Sequence, residues 1–333
     1  MRDINLNTME IPEIPEIPPP ILKAASNGKL VVFIGAGVSR LLGYPSWQNL
    51  AEKYVEYLFR EGKLSYLEYE YLRKLDPRKL LSICKNFCKK RKISEPSMRE
   101  LLSPSKKNKE TIKDIYELIY SWNVIYVTTN FDDELDKVVE KEPNKELITE
   151  NNAPSSNSSL SENRNMKIIS NPEQVSILHL YFPGQVIHLH GSVNSEEEKL
   201  ILTISDYLSH YQNEEIQLFL NHLFTRFTVL FIGYGLEEYE LLEFLVHKSQ
   251  AHTSNKEIKH YLLYPLFSWE QDMLKFYQLY YRDLKIEIIP CKKDKRGYEQ
   301  LYEIIKAWTL EIKEAVQPAG YSEIFKLIDE VLG

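Results

Sequence analysis

Cysteine is scarce in this sequence: Cys84, Cys88 and Cys291 are the three present. A low, odd count excludes a disulfide framework and fits a reducing compartment, so the expected location is cytoplasmic. Cys84 and Cys88 lie one helical turn apart, but no second pair completes a four-thiolate zinc site, so no metal is expected. Long apolar runs are missing as well. No stretch approaches the roughly 20 residues of a membrane-spanning helix, and the polar, proline-rich start lacks a secretory pattern. An excess of positive charge is also absent. The formal net charge is −7, which speaks against non-specific nucleic-acid binding, and no direct sequence-specific binding is expected.

What is present points to a globular chain with a sizeable core. The 333 residues are 43% hydrophobic and 27% charged, enough for one large domain or two medium ones. Tyrosine (22) outnumbers phenylalanine (13), which suggests many half-buried surfaces with a polar edge.

An apolar run, Leu30 to Ile34, reads as a buried strand and ends in Gly35-Ala36-Gly37, with Ser39 two places on. Glycines there let the backbone turn sharply and approach a phosphate, the usual opening of a nucleotide-binding α/β sheet. The dinucleotide fingerprint wants a third glycine three residues later, where Arg40 stands, so the plain dehydrogenase pattern is broken. Further strands are expected at 124–128, 185–190, 228–232, 260–264 and 285–289, plus a short one before the helix that starts near Ser205. Helical periodicity runs between them, with a helical insertion at 48–121. The alternation predicts an α/β fold with a doubly wound, mostly parallel, Rossmann-like sheet.

Three segments differ in kind. Residues 1–20 end in IPEIPEIPPP and form an extended proline-rich arm. This is either a loose tail or an arm that docks on a neighbour through Ile11, Ile14 and Ile17. Residues 140–173 are serine- and asparagine-rich and read as a long polar loop inside the 21–316 domain. Residues 317–333 carry a final amphipathic helix. The basic run 85–92 reads first as a solvated helix face and second as a contact for an acidic partner.

Four strand ends carry GAGVS, TTNFD, HG and GYG, in that order. Taken singly, each has a plain structural role: Asn130 and Asp132 as helix caps, His190 as a core histidine. The shared sheet edge makes them one constellation.

That constellation resembles the sirtuin superfamily, over roughly residues 29–290. The matching positions are Gly35, Ala36, Gly37 and Ser39; Thr128, Asn130 and Asp132; His190 and Gly191; and the Gly233-Tyr234-Gly235 turn. The segment from Gly43 to Gln48 keeps Gly43 and Pro45, with Trp47 in place of a phenylalanine, but loses the Asp and Arg of deacetylase sirtuins. No cysteine lies between Cys88 and Cys291, where those enzymes carry a zinc module. With TISDY at 203–207 and GYGLEE at 233–238, the chain looks instead like the sirtuin-like NADase domain of bacterial anti-phage defence systems.

The resemblance implies an NAD+ glycohydrolase with NAD+ as substrate, which depletes cellular NAD+ and is gated by a partner or by assembly. It implies a homo-oligomer, or a separate defence partner such as a hexameric DNA-translocating ATPase or a sensor protein. It also assigns roles. Backbone amides of Gly35, Ala36 and Gly37 hold the pyrophosphate. Pro45, Trp47, Thr128, Gly233, Tyr234 and Gly235 line the NAD+ site. Asn130 orients the ribose or the attacking water, Asp132 orients a ribose hydroxyl or Asn130, and His190 is the general base. The alternatives are an NAD+-dependent protein-lysine deacylase and a non-catalytic module that binds NAD+ or ADP-ribose.

Overall fold

The computed structural model describes residues 10–105, 112–141, 167–195, 199–235, 241, 244–245 and 260–316. Helix α1 (Pro19–Ser26) leads into strand β1 (Leu30–Ile34), whose side chains are buried on both faces. There follow α2 (Ala36–Leu41), α3 (Trp47–Arg60), α4 (Tyr66–Leu72), α5 (Pro77–Arg91), α6 (Met98–Leu101) and α7 (Ile115–Tyr120). Strand β2 (Ile125–Thr128), α8 (Glu134–Lys141), β3 (Ile168–Ile169) and β4 (Val186–His188) come next. The chain continues through α9 (Ile204–Gln212), α10 (Glu214–Arg226), β5 (Thr228–Ile232), β6 (His260–Leu266), α11 (Leu274–Asp283), β7 (Ile286–Lys292) and α12 (Gln300–Ala315).

Among the described residues the seven strands form one sheet, in the order β3-β4-β2-β1-β5-β6-β7. All of its pairings are parallel. The fold is therefore the expected doubly wound α/β sheet. Strands bury both faces in such a sheet, which is why β1 reads as an unbroken apolar run. Leu30, Val32 and Ile34 point into a core shared with α1, α7 and α12. Val31 and Phe33 point into the opposite core, with Phe219, Leu220 and Leu223 of α10 and Tyr281 of α11. This is the two-residue alternation of a strand.

Register decides where the loops begin. Ile34 pairs with Thr128 on one side and Ile232 on the other, and Thr128 pairs with His188. The ends of β1, β2, β4 and β5 are therefore level, and the loops after them open on the same edge. The winding reverses between β1 and β5, which places a crevice at those carboxyl ends.

Helices α3, α5 and α6 build a third core from Leu50, Tyr54, Leu58, Leu80, Leu81, Cys84 and Cys88, closed by Phe131, Val193 and Leu202. Cys84 and Cys88 are buried free thiols here. Helix α7 belongs elsewhere: Ile115, Tyr116 and Ile119 pack on the sheet. The helical layer thus ends short of residue 121.

Three expectations change. Of the segment 140–173, residues 142–166 lie outside the described residues, and its end contributes edge strand β3, where Ile168 and Ile169 pair with Val186 and Ile187, and a short 3-10 turn, Pro172–Gln174. The strand expected at 185–190 stops at His188, and among the described residues no short strand leads into α9, which Thr203 starts with a reciprocal cap to Asp206. The described part of the arm, from residue 10, packs on its own chain. Ile11 and Ile17 are buried, Pro12 O accepts from Lys292 N, and Pro15 O accepts from the Trp308 indole at 2.7 Å, so only Ile14 stays exposed. The helix expected at 317–333 lies outside the described residues.

Candidate functional site

At the β1/β5 crevice two glycine turns are locked together. Gly35 N donates to Ile232 O at 2.9 Å and Gly37 N donates to Gly233 O at 2.8 Å. A Cβ on Gly37 would sit 2.6 Å from Gly233 O, and one on Gly35 would sit 2.5 Å from the same oxygen. Gly233 itself has φ +61. These glycines are therefore required for turn-on-turn packing. The amides of Gly35 and Gly37 already have protein acceptors, which narrows the phosphate cradle expected from the sequence.

The second element is a buried network around Ser39. Its hydroxyl donates to Asp132 Oδ2 at 2.6 Å, accepts from Asn130 Nδ2 at 2.9 Å, and lies 2.9 Å from the Tyr116 hydroxyl. Asn130 Nδ2 also donates to Gly35 O at 3.1 Å, and Asn130 N donates to Thr128 Oγ1 at 3.0 Å. The amide donors of Asn130 thus tie the loop after β2 to the loop after β1. Its Oδ1 accepts no hydrogen bond among the described residues and is left for a ligand. Burial pushes the Asp132 carboxyl up to about 6, against the hydrogen bond from Ser39. Burial, helped by Asp132, holds Tyr116 protonated.

Beneath this network lies a fully buried ion pair. His188 Nε2 is 2.7 Å from Asp136 Oδ1, Ser192 Oγ donates to Asp136 Oδ2 at 3.0 Å, and His188 Nδ1 is 3.2 Å from Asn130 O. Burial alone would lower the His188 pKa; Asp136, with Asn130 O and Asp132, outweighs it and raises the pKa above the ordinary histidine value. The pair fixes the Asn130 backbone from below.

The third element is His190. Its Nε2 shares a hydrogen bond with the Tyr211 hydroxyl at 2.9 Å, and its Nδ1 is 3.5 Å from the Tyr207 hydroxyl. Burial, then His210 and Arg78, holds it well below the usual histidine range, so it is neutral. His210 is pulled down to about 4 by burial. The Arg78 guanidinium lies 4.0 Å above the Tyr207 ring. Trp47, Phe131 and His190 follow one another in tilted ring contacts, with centroids 5.4 Å and then 6.4 Å apart. Among the described residues, Trp47 Nε1 and His210 Nε2 are buried without a hydrogen-bond partner.

These elements line one cleft of about 1160 Å³. Of the residues singled out from the sequence, Ala36, Gly37, Ser39, Pro45, Trp47, Asn130, Asp132, His190, Gly233, Tyr234 and Gly235 face it. Gly35 and Thr128 lie behind it and shape the turns. Sequence reasoning missed Tyr116, Asp136, His188, Tyr211 and Arg78. His188 had a visible signal, a second histidine two places before His190 at the strand end. Tyr116 had none, because its reach into the loop depends on how α7 packs.

Residues 124–289 match the SIR2-like domain family. The chain carries a SIR2-like domain. The matched stretch includes Asn130, Asp132, His190 and the Gly233 turn, and β1 inserts the Gly35–Gly37 turn between its strands. The domain is also similar to Defense-associated sirtuin 2 of Bacillus subtilis, 28% identical over 226 residues. That alignment covers 66% of this chain and 19% of the relative, so the chain matches about a fifth of the relative's length. Among the described residues, no group of His, Cys, Asp or Glu is arranged to hold a metal ion, and no helix is long and apolar enough to cross a membrane.

Proposed function

We propose that this SIR2-like domain hydrolyses NAD+ to nicotinamide and ADP-ribose as the effector of an anti-phage defence system. The observation that carries the reading is the convergence of Asn130, Asp132 and His190 on one cleft beside the interlocked glycine turns. A cleft of about 1160 Å³ lies just above the ~300–1,000 Å³ usual for small-molecule sites, a size that suits a dinucleotide. The free Oδ1 of Asn130 and the orphaned Trp47 N–H suit the polar groups of a ribose and a carboxamide.

In this reading the C1′–nitrogen bond breaks, its electron pair leaves with neutral nicotinamide, and the sugar becomes cationic. Asn130 Oδ1 accepts from the attacking water or a ribose hydroxyl. The Asp132 carboxylate, charged above about pH 6, supplies negative potential near the forming cation through Ser39. Neutral His190 takes the proton of water as the new C1′–oxygen bond forms, with Nδ1 the less tightly held nitrogen. The relative's name supports the defence setting. An NAD+-consuming effector needs restraint in its host, so the isolated chain is expected to cleave slowly and the assembled system faster. The direct test is NAD+ cleavage by folded His190→Ala and Asn130→Ala variants; full activity in either removes the assignment.

A further inference from the structure

At the far side of the cleft from His190 stands a lysine whose charge is poorly compensated. Lys293 follows β7 directly, lines the cleft and is 5% exposed. Its Nζ sits 4.5 Å from the centroid of Phe267 and 4.3 Å from that of Tyr298. Phe267 is held in place by a parallel stack on Trp269, centroids 4.1 Å apart. The nearest carboxylate oxygen, Glu270 Oε2, is 3.9 Å away, beyond hydrogen-bond reach, and already accepts from Phe267 N at 2.7 Å. Among the described residues the Lys293 ammonium donates no hydrogen bond. A buried ammonium normally has an ion partner and acceptors for its N–H groups, and this one has ring faces and a distant carboxylate.

The turn Gly297–Glu299, which follows Lys293, packs against α2, the helix that opens with the glycine turn and carries Ser39. The amides of Gly35 and Gly37 are committed to Ile232 and Gly233. Of the three amides the sequence assigned to the phosphate, that leaves Ala36 N alone, a weak hold for a doubly charged diphosphate without a cationic donor beside it. We infer that Lys293 is the phosphate anchor of this cleft, donating to a diphosphate oxygen of an adenine dinucleotide or of ADP-ribose. The aromatic cage of Phe267 and Tyr298 holds the ammonium in place while the ligand is absent and excludes water from it when the ligand is present. This inference rests on the nucleotide reading above and names the residue that recognises the charged part of that ligand.

The test is calorimetric binding of ADP-ribose and of adenosine to the folded full chain and to Lys293→Met, Lys293→Arg and Glu270→Gln. Wild type is expected to bind ADP-ribose. Lys293→Met is expected to weaken ADP-ribose by about 10- to 100-fold, the range for a lost hydrogen bond to a charged group, while adenosine changes less than about 2-fold. Lys293→Arg is expected to restore most of the affinity. Glu270→Gln keeps an acceptor for Phe267 N and removes the competing charge, so ADP-ribose is expected to bind as tightly or up to about 5-fold tighter. Equal loss of ADP-ribose and adenosine in Lys293→Met would assign the lysine to packing and overturn the inference, as would undiminished ADP-ribose binding. A wild-type chain that binds no ADP-ribose would instead contradict the nucleotide reading itself.

Discussion

Around Asn130 the side-chain donors are spent on protein acceptors; around His190 some are left over. Ser39, Asn130, Asp132 and Tyr116 satisfy one another, with the His188–Asp136 pair locked beneath them. On the His190 side, among the described residues, Trp47 Nε1 and His210 Nε2 lack partners, and four aromatic residues, Trp47, Phe131, Tyr207 and Tyr211, gather around the ring. One cluster is a charged, closed network that fixes geometry. The other is an aromatic pocket around a neutral imidazole, with the Arg78 guanidinium over Tyr207 and two ring nitrogens left without partners. Fully satisfied buried networks rigidify, and open ones wait for a ligand. On the proposed mechanism, the closed side fixes Asn130 and Asp132 against the substrate and the aromatic side holds the base.

Substitutions on the two sides are expected to fail differently. The largest effect is His190→Ala: a loss of NAD+ cleavage of about 10²–10⁴-fold, read as nicotinamide release, with the far-ultraviolet circular dichroism of the folded protein retained. Activity within a few-fold of wild type would move the base elsewhere.

Next is the dependence on pH. Asp132 ionises near 6 because burial opposes its charge, whereas His190 stays neutral across that range. Cleavage at limiting substrate is therefore expected to fall about tenfold per pH unit below 6, as Asp132 takes up a proton. In Asp132→Asn that acid limb should vanish, at a lower overall rate. An unchanged limb would assign it to another group. The sign for stability is opposite. The fold favours the protonated carboxyl, so this residue's contribution is present below its ordinary 3.8 and is lost as pH rises through about 6. Asp132→Asn should accordingly melt higher than wild type at pH 8.

Ser39→Ala removes the hub of the closed network and takes one hydrogen-bond partner from each of three buried polar groups. It should destabilise the protein by about 1–3 kcal/mol in a denaturant titration, as well as slowing cleavage. His210→Leu replaces a buried imidazole whose Nε2 has no partner, so the same titration should change by less than about 0.5 kcal/mol in the destabilising direction. Equal losses in these two variants would erase the distinction between the clusters.

Much of this arrangement was legible in the chain, for physical reasons. An apolar pentapeptide ending in glycine can be little else than a strand buried on both faces, and the order of the four strand-end motifs placed them on one edge before any register was known. What stayed hidden was set by packing. Two isoleucines at 168–169 are too short a signal within a polar stretch, and they became a strand only because β4 presented a free edge. The arm's isoleucines announced that something would be buried, but not that the surface was α12 and the end of β7 of the same chain. Tyr116 and Lys293 sit in an ordinary helix and an ordinary basic turn. Their chemistry arises from distant neighbours, Ser39 for one and Phe267 with Tyr298 for the other. The glycines show the reverse case: their positions were plain, but their amides serve each other's turns.

The central claim is that the cleft cuts NAD+ with water alone. Incubating the purified chain with NAD+, and separately with NAD+ plus an acetylated lysine peptide, and resolving the products by mass, tests it most directly. Nicotinamide and ADP-ribose in equal amounts, formed without the peptide and absent with His190→Ala, is the expected result. Nicotinamide released only when the peptide is present, together with O-acetyl-ADP-ribose, would contradict it.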